Sequence, residues 1–161
     1  MEAVIRALED SGVRYLVAGG LAVVAHGYLR FTKDIDLVLA LADPNAGRAL
    51  DALAKLGYRP AVPVALHDFL DSVQRRDWIE NKNARVFPLV SDAHRLTPVE
   101  IFLEEPFDFD EAYSRVVRQE VAPLLTAAFV GLDDLLAMKR VAGREQDLAD
   151  IAELERVHGR R

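Results

Sequence analysis

The residues best suited to chemistry are Asp34 and Asp36, set in the apolar run "DIDLVLAL" (residues 34–41). Two carboxylates two positions apart on a strand point to the same face. Side by side they repel, and partial burial raises the pKa of such a pair unless a cation neutralises it. A hard divalent cation such as Mg²⁺ takes oxygen ligands and is commonly held by one or two carboxylates together with substrate phosphates. Asp-x-Asp is a short pattern that recurs by chance, and the plain alternative is a solvated ion-pair cluster with Arg30 and Lys33. Upstream, Gly19 and Gly20 stand at the junction of an apolar stretch and a short Ala-rich one. Glycines let a phosphate approach the backbone, and a helix N-terminus offers it free N–H groups; the pair alone fits a tight turn equally well. Together the two motifs place an anion site just before a cation site, the combination that a nucleoside triphosphate with Mg²⁺ requires.

These groups need elements to hold them. Residues 2–10 carry Val4, Ile5 and Leu8 at helical spacing. "VRYLVAG" (13–19) reads as a first strand, "GLAVVAHG" (20–27) as a helix of about two turns, and 34–41 as a second strand. Asp43-Pro44-Asn45 starts a helix that runs to Gly57. Residues 58–66 read as extended and 67–83 as a polar helix. "ARVFPLV" (84–90) and "PVEIFLE" (98–104) read as strands joined by a turn-rich segment. Residues 108–116 form a helix capped by Asp108 or Asp110, 118–121 and 126–130 form short strands, and 132–157 form two helices hinged at Gly143. Leu132, Leu135, Leu136, Leu148, Ile151 and Leu154 are expected in the core. The order predicts an α/β (α+β) fold: a mixed sheet flanked by helices, with a C-terminal helical pair. It is read as one domain over 1–161, with a core at about 1–105 and a helical part at about 106–161.

Composition narrows the classes. The chain has 161 residues, 51% hydrophobic and 29% charged, which suits one globular domain. It has no cysteine, which removes disulfide, zinc-thiolate and cysteine-nucleophile chemistry. No apolar run is long enough to span a bilayer, and the expected compartment is the cytoplasm. A net charge of −6 argues against bulk binding of duplex DNA, while a local basic patch leaves RNA open. His26, His67, His94 and His158 share no ligand spacing; no Walker A and no nucleophile elbow is present.

"GGLAVVAHGYLRFTKDIDLVL" (19–39) resembles the signature of the polymerase-β-type nucleotidyltransferase superfamily, and within it the minimal prokaryotic nucleotidyltransferases of the AbiEii/AbiGii toxin type. "LDDLLAMKRVAGREQDLADIAEL" (132–154) is similar to that group's C-terminal helical motif, and "WIENKNARVF" (78–87) to its uncharacterised branch. The resemblance implies a nucleotidyltransferase-like sheet and a third carboxylate on a later strand. Glu100 is the candidate, because Val99, Ile101 and Leu103 alternate as a core face and leave it on the other. Many relatives carry aspartate there, so Glu100 is a departure. The resemblance further implies that Asp34, Asp36 and Glu100 hold Mg²⁺, with Mn²⁺ as a substitute. Gly19, Gly20 and Thr32 would meet the nucleotide's phosphates, with Lys139 and Arg144 turned toward them. Arg140 and Arg144 share a helical side if the helix continues, and Asp147 and Asp150 either orient these bases or belong to a solvated face. The implied activity is transfer of a nucleoside monophosphate from an NTP to an acceptor hydroxyl on tRNA, protein or a small molecule. RNA or protein is favoured, as in a toxin with an antitoxin partner. The alternative is a catalytically inactive nucleotide-binding or partner-binding module on the same fold.

Overall fold

Short β-branched and aromatic runs alternate with amphipathic ones, and a computed structural model shows what they build. It describes residues 1–42 and 44–160, so the expected helix start at Asp43 lies outside the described residues. In chain order the elements are α1 (Glu2–Asp10), β1 (Tyr15–Val17), α2 (Gly19–Ala25), β2 (Ile35–Leu39), α3 (Asn45–Lys55) and β3 (Arg59–Pro60). A 3₁₀ turn (Leu66–Leu70) leads to α4 (Ser72–Lys82), β4 (Val86–Val90), β5 (Val99–Phe102) and α5 (Phe109–Ser114). Then come β6 (Val117–Ala122), β7 (Leu125–Phe129), α6 (Leu132–Ala142) and α7 (Glu145–Val157). The predicted mixed α/β architecture with its C-terminal helical pair is therefore present. Among the described residues no helix is long and apolar enough to cross a membrane.

The strands form one mixed sheet in the order β3-β4-β5-β2-β1-β7-β6. β2 is its hinge of direction, antiparallel to β1 and parallel to β5. Side chains alternate across a sheet, so Asp36 and Glu100 lie on one face while Ile35, Leu37, Val99 and Ile101 fill the other. The filled face is covered by α1 and the 3₁₀ turn, with α3 packed against both and α4 reached through Trp78. Tyr15 donates its hydroxyl to Glu9, and Phe87 stacks on Trp78 and meets Phe69 at a tilt, with ring centroids 5.4 and 5.3 Å away. Trp78 is thereby engaged in packing.

Four local expectations change. The first strand stops at Val17, because Gly19 adopts φ 58°, incompatible with a strand, and opens α2. Of residues 58–66 only Arg59–Pro60 pair with β4, since Pro60 and Pro63 lack the N–H a longer ladder needs. The polar helix divides at Asp71, whose carboxylate accepts from the Val73 N–H and caps α4. Leu148, expected in the core, is 57% exposed. The buried stripe of α7 is Asp147, Asp150 and Leu154, at helical spacing, and Leu148 lies about 100° away from Asp147. The sheet also continues beyond residue 105, because β7 joins β1 in parallel and β6 pairs with β7.

Candidate functional site

The site begins with a register. β2 and β5 run parallel with Asp36 directly opposite Glu100. Asp34 sits one residue before β2, yet the alternation of the strand extends backwards through it. Arg30, Thr32, Asp34 and Asp36 are half-buried; Leu29, Phe31 and Lys33 between them are exposed, and Ile35 and Leu37 are buried. One extended segment thus directs four polar side chains to a common side.

The two glycines are required by what approaches them. A Cβ on Gly19 would run into the Asp36 carboxylate, and its φ of 58° already favours glycine. A Cβ on Gly20 would meet the Thr32 hydroxyl and stand 3.0 Å from Arg30 Nη2. The Gly20 N–H donates to Asp36. In this structure the glycine turn therefore cradles a carboxylate of the protein itself, at the spot where the sequence led us to expect phosphate.

Asp36 carries the electrostatic anomaly of the site. Its pKa is raised from 3.8 to about 7, first by burial, then by the charge of Glu100 and a hydrogen bond with it, then by the charge of Asp34; the Gly20 N–H opposes the shift. Near neutrality Asp36 is therefore only partly ionised, facing the Glu100 carboxylate across the register. Strongly perturbed, partly buried acids cluster at functional sites. The pair's donors are hard oxygens, the type that Mg²⁺ and Mn²⁺ prefer. Among the described residues no three metal-binding side chains converge into a ready cage. The acids meet as a pair, with Asp34 close enough to add its charge.

The basic residues separate. Gly143 takes φ 62° and ends α6, so the helix does not continue and Arg140 does not share a side with Arg144; Arg140 pairs with Glu155. Arg144 sits at the start of α7, donates from Nε to Asp147 at 2.7 Å, and feels the charges of Asp36 and Glu100, which favour its charged form. Lys139 is 5% exposed, with its ammonium 3.0 Å from Asp147 and 2.6 Å from Asp150. Burial works against ionisation of both aspartates, but the bonds from Arg144 and Lys139 to Asp147, and from Lys139, Arg30 and Gln146 to Asp150, hold them below the usual carboxylate range. These aspartates are not on a solvated face. Arg30, which the sequence offered only as a surface partner for the acids, instead reaches Asp150, 120 positions away.

His26 donates to or accepts nothing near the acids; its Nε2 lies 2.8 Å from the Val130 carbonyl, and burial lowers its pKa. A cavity of about 380 Å³ opens at the other end of β2 and β5, among Leu41, Arg75, Leu103 and Glu104. It contains none of the candidate residues, and the acid pair outweighs it because chemistry follows the perturbed groups rather than volume. Comparison with protein-family models and with curated proteins found no match to this chain.

Proposed function

We infer that the protein is a metal-dependent nucleotidyltransferase, moving a nucleoside monophosphate from an NTP to an acceptor hydroxyl. The observation that carries the reading is the register of Asp36 with Glu100, beside a glycine turn and within the field of Arg144. Asp34, Asp36 and Glu100 would hold Mg²⁺, or Mn²⁺ in its place, and the ion would supply charge compensation for the triphosphate and the two reacting oxygens. The protein's own groups do the rest. The Thr32 hydroxyl can donate to a phosphate oxygen, and Arg144 offsets the charge of the leaving pyrophosphate. Glu100, on the β5 side of Asp36, orients the acceptor hydroxyl as its oxygen bonds to the α-phosphorus; the hydroxyl proton passes to solvent, the α–β phosphoanhydride bond breaks and pyrophosphate leaves. The acceptor classes are RNA, protein or a small molecule, and action as a toxin restrained by an antitoxin fits the sequence resemblance.

Calorimetry with each NTP, with and without Mg²⁺, tests the binding half. Mg²⁺-dependent binding that Asp36→Ala abolishes supports the site; binding indifferent to Mg²⁺ and to Asp36→Ala overturns it. An inactive binding module on the same fold, which the Glu100 departure keeps open, would bind in the same way and transfer nothing.

A further inference from the structure

The C-terminal helix pair buries more charge than its packing calls for. Lys139 is 5% exposed, Asp147 1% and Asp150 0%. Buried ion pairs contribute little net stability, and apolar residues of similar volume often serve as well or better. Their arrangement is more telling than their energy. Each carboxylate holds a second cation, and one of the two, Arg30, lies against the glycine turn of the acid site. Asp147 binds Arg144, whose guanidinium feels Asp36 and Glu100. Asp150 accepts from Arg30 Nη2 at 3.0 Å and from Gln146 at 3.0 Å. Arg30 Nε lies 2.8 Å from Asp150 Oδ1 without its N–H aligned on that oxygen, so this second contact is an ion pair and not a hydrogen bond. Arg30 in turn lies against Gly20, in the extended segment that carries Thr32, Asp34 and Asp36.

We propose that Lys139, Asp147 and Asp150 form a buried positioning relay: one ammonium fixes two carboxylates, and each carboxylate fixes one arginine of the site. Asp147 holds Arg144 at the start of α7, and Asp150 holds Arg30 against Gly20, in the segment that carries Thr32 and Asp34. Lys139 is then a positioning residue and not a phosphate contact. Two of its three N–H donors are engaged by the aspartates, and the side chain is buried away from the surface that a nucleotide would approach. Three cations against two carboxylates leave one positive charge in surplus, and it emerges at Arg144, whose side chain is 78% exposed. The proposal rests on reading the acid pair as a nucleotide site, and the test separates the two.

One readout needs no nucleotide: NMR detection of slowly exchanging Nε–H and ammonium protons in the protein alone. Wild type should show protected Lys139 and Arg144 signals. Asp147→Asn should erase the Arg144 signal while leaving the protein folded, and Lys139→Met should weaken it. An Arg144 signal unchanged in Lys139→Met overturns the relay. Should Lys139→Met fold poorly, combining it with Asp150→Asn removes the ammonium and one stranded carboxylate together, and the Arg144 signal decides. The second readout is MgATP affinity by calorimetry. Arg144→Gln is expected to weaken it about tenfold, and Asp147→Asn should add nothing to Arg144→Gln, as for two residues acting in series. Losses that multiply mean Asp147 acts independently of Arg144, and the relay fails. If wild type binds MgATP and every other Mg-NTP no better than buffer, the nucleotide reading falls while the NMR result still decides the relay.

Discussion

Asp36 links stability to function at a single carboxylate. Its pKa in the folded protein, about 7, is raised above the ordinary 3.8, so the native state holds a proton that the unfolded chain has released. Its contribution to stability is complete below about pH 4 and declines as pH rises through about 7. Asp147 and Asp150 act in the opposite sense: their lowered pKa values favour the fold above the ordinary carboxylate range and withdraw that support under stronger acid. Thermal melts of wild type without metal should therefore fall between pH 5 and pH 8, and Asp36→Asn should melt higher than wild type at pH 8 while losing Mg²⁺-dependent NTP binding. Each ~1 kcal/mol relieved corresponds to about 2–4 °C. Wild type and Asp36→Asn with the same pH profile would contradict the assignment. Gly19→Ala meets both a left-handed backbone and the Asp36 carboxylate, and should cost more than about 1 kcal/mol in denaturant melts. At this scale strand alternation placed Asp36 and Glu100 off the core face, while Glu100 was singled out only through the family resemblance. Lys139 entered only through the resemblance, as a group turned toward phosphates; its burial was not legible, since a helix-end lysine is ordinarily solvated and its burial depends on Asp147 and Asp150 folding back from the next helix.

Among elements, the decisive one is the extended segment before β2. Its alternation from Leu29 to Asp36 is maintained without strand partners over its first residues, held by Arg30 at Asp150 and by Thr32 against Gly20. Substituting an outward residue should matter little. Phe31 is 86% exposed, so Phe31→Ser should leave stability within about 0.5 kcal/mol. Arg30→Ala removes a partner of the buried Asp150, and should destabilise by several times that amount in the same melts. The α6–α7 hinge has a similar logic: the left-handed Gly143 turns the chain so that Asp147 and Asp150 return to Lys139. The hinge was legible as a glycine between two helical runs. The contact between Arg30 and α7 was not, because no local pattern reports a pairing 120 residues apart.

Over the whole molecule, the mixed sheet and the terminal helix pair follow from the order of apolar and amphipathic runs, and the sheet's central β5-β2-β1 strands bring Glu100 to Asp36. The strands after residue 105 join the same sheet through β1, so the far end of the chain is tied to the strand that leads into the glycine turn. With a net charge of −6, a triphosphate at the proposed site would be attracted by local groups such as Arg144 and not by a basic surface. The most direct measurement is transfer of label from α-labelled NTPs, supplied one at a time with Mg²⁺ and a cell extract, followed by separation of RNA, protein and small molecules. Label should appear in one of these fractions with wild type and disappear with Asp36→Ala. Label that persists undiminished in Asp36→Ala, or that never leaves the nucleotide with folded, nucleotide-binding wild type, would contradict a nucleotidyltransferase.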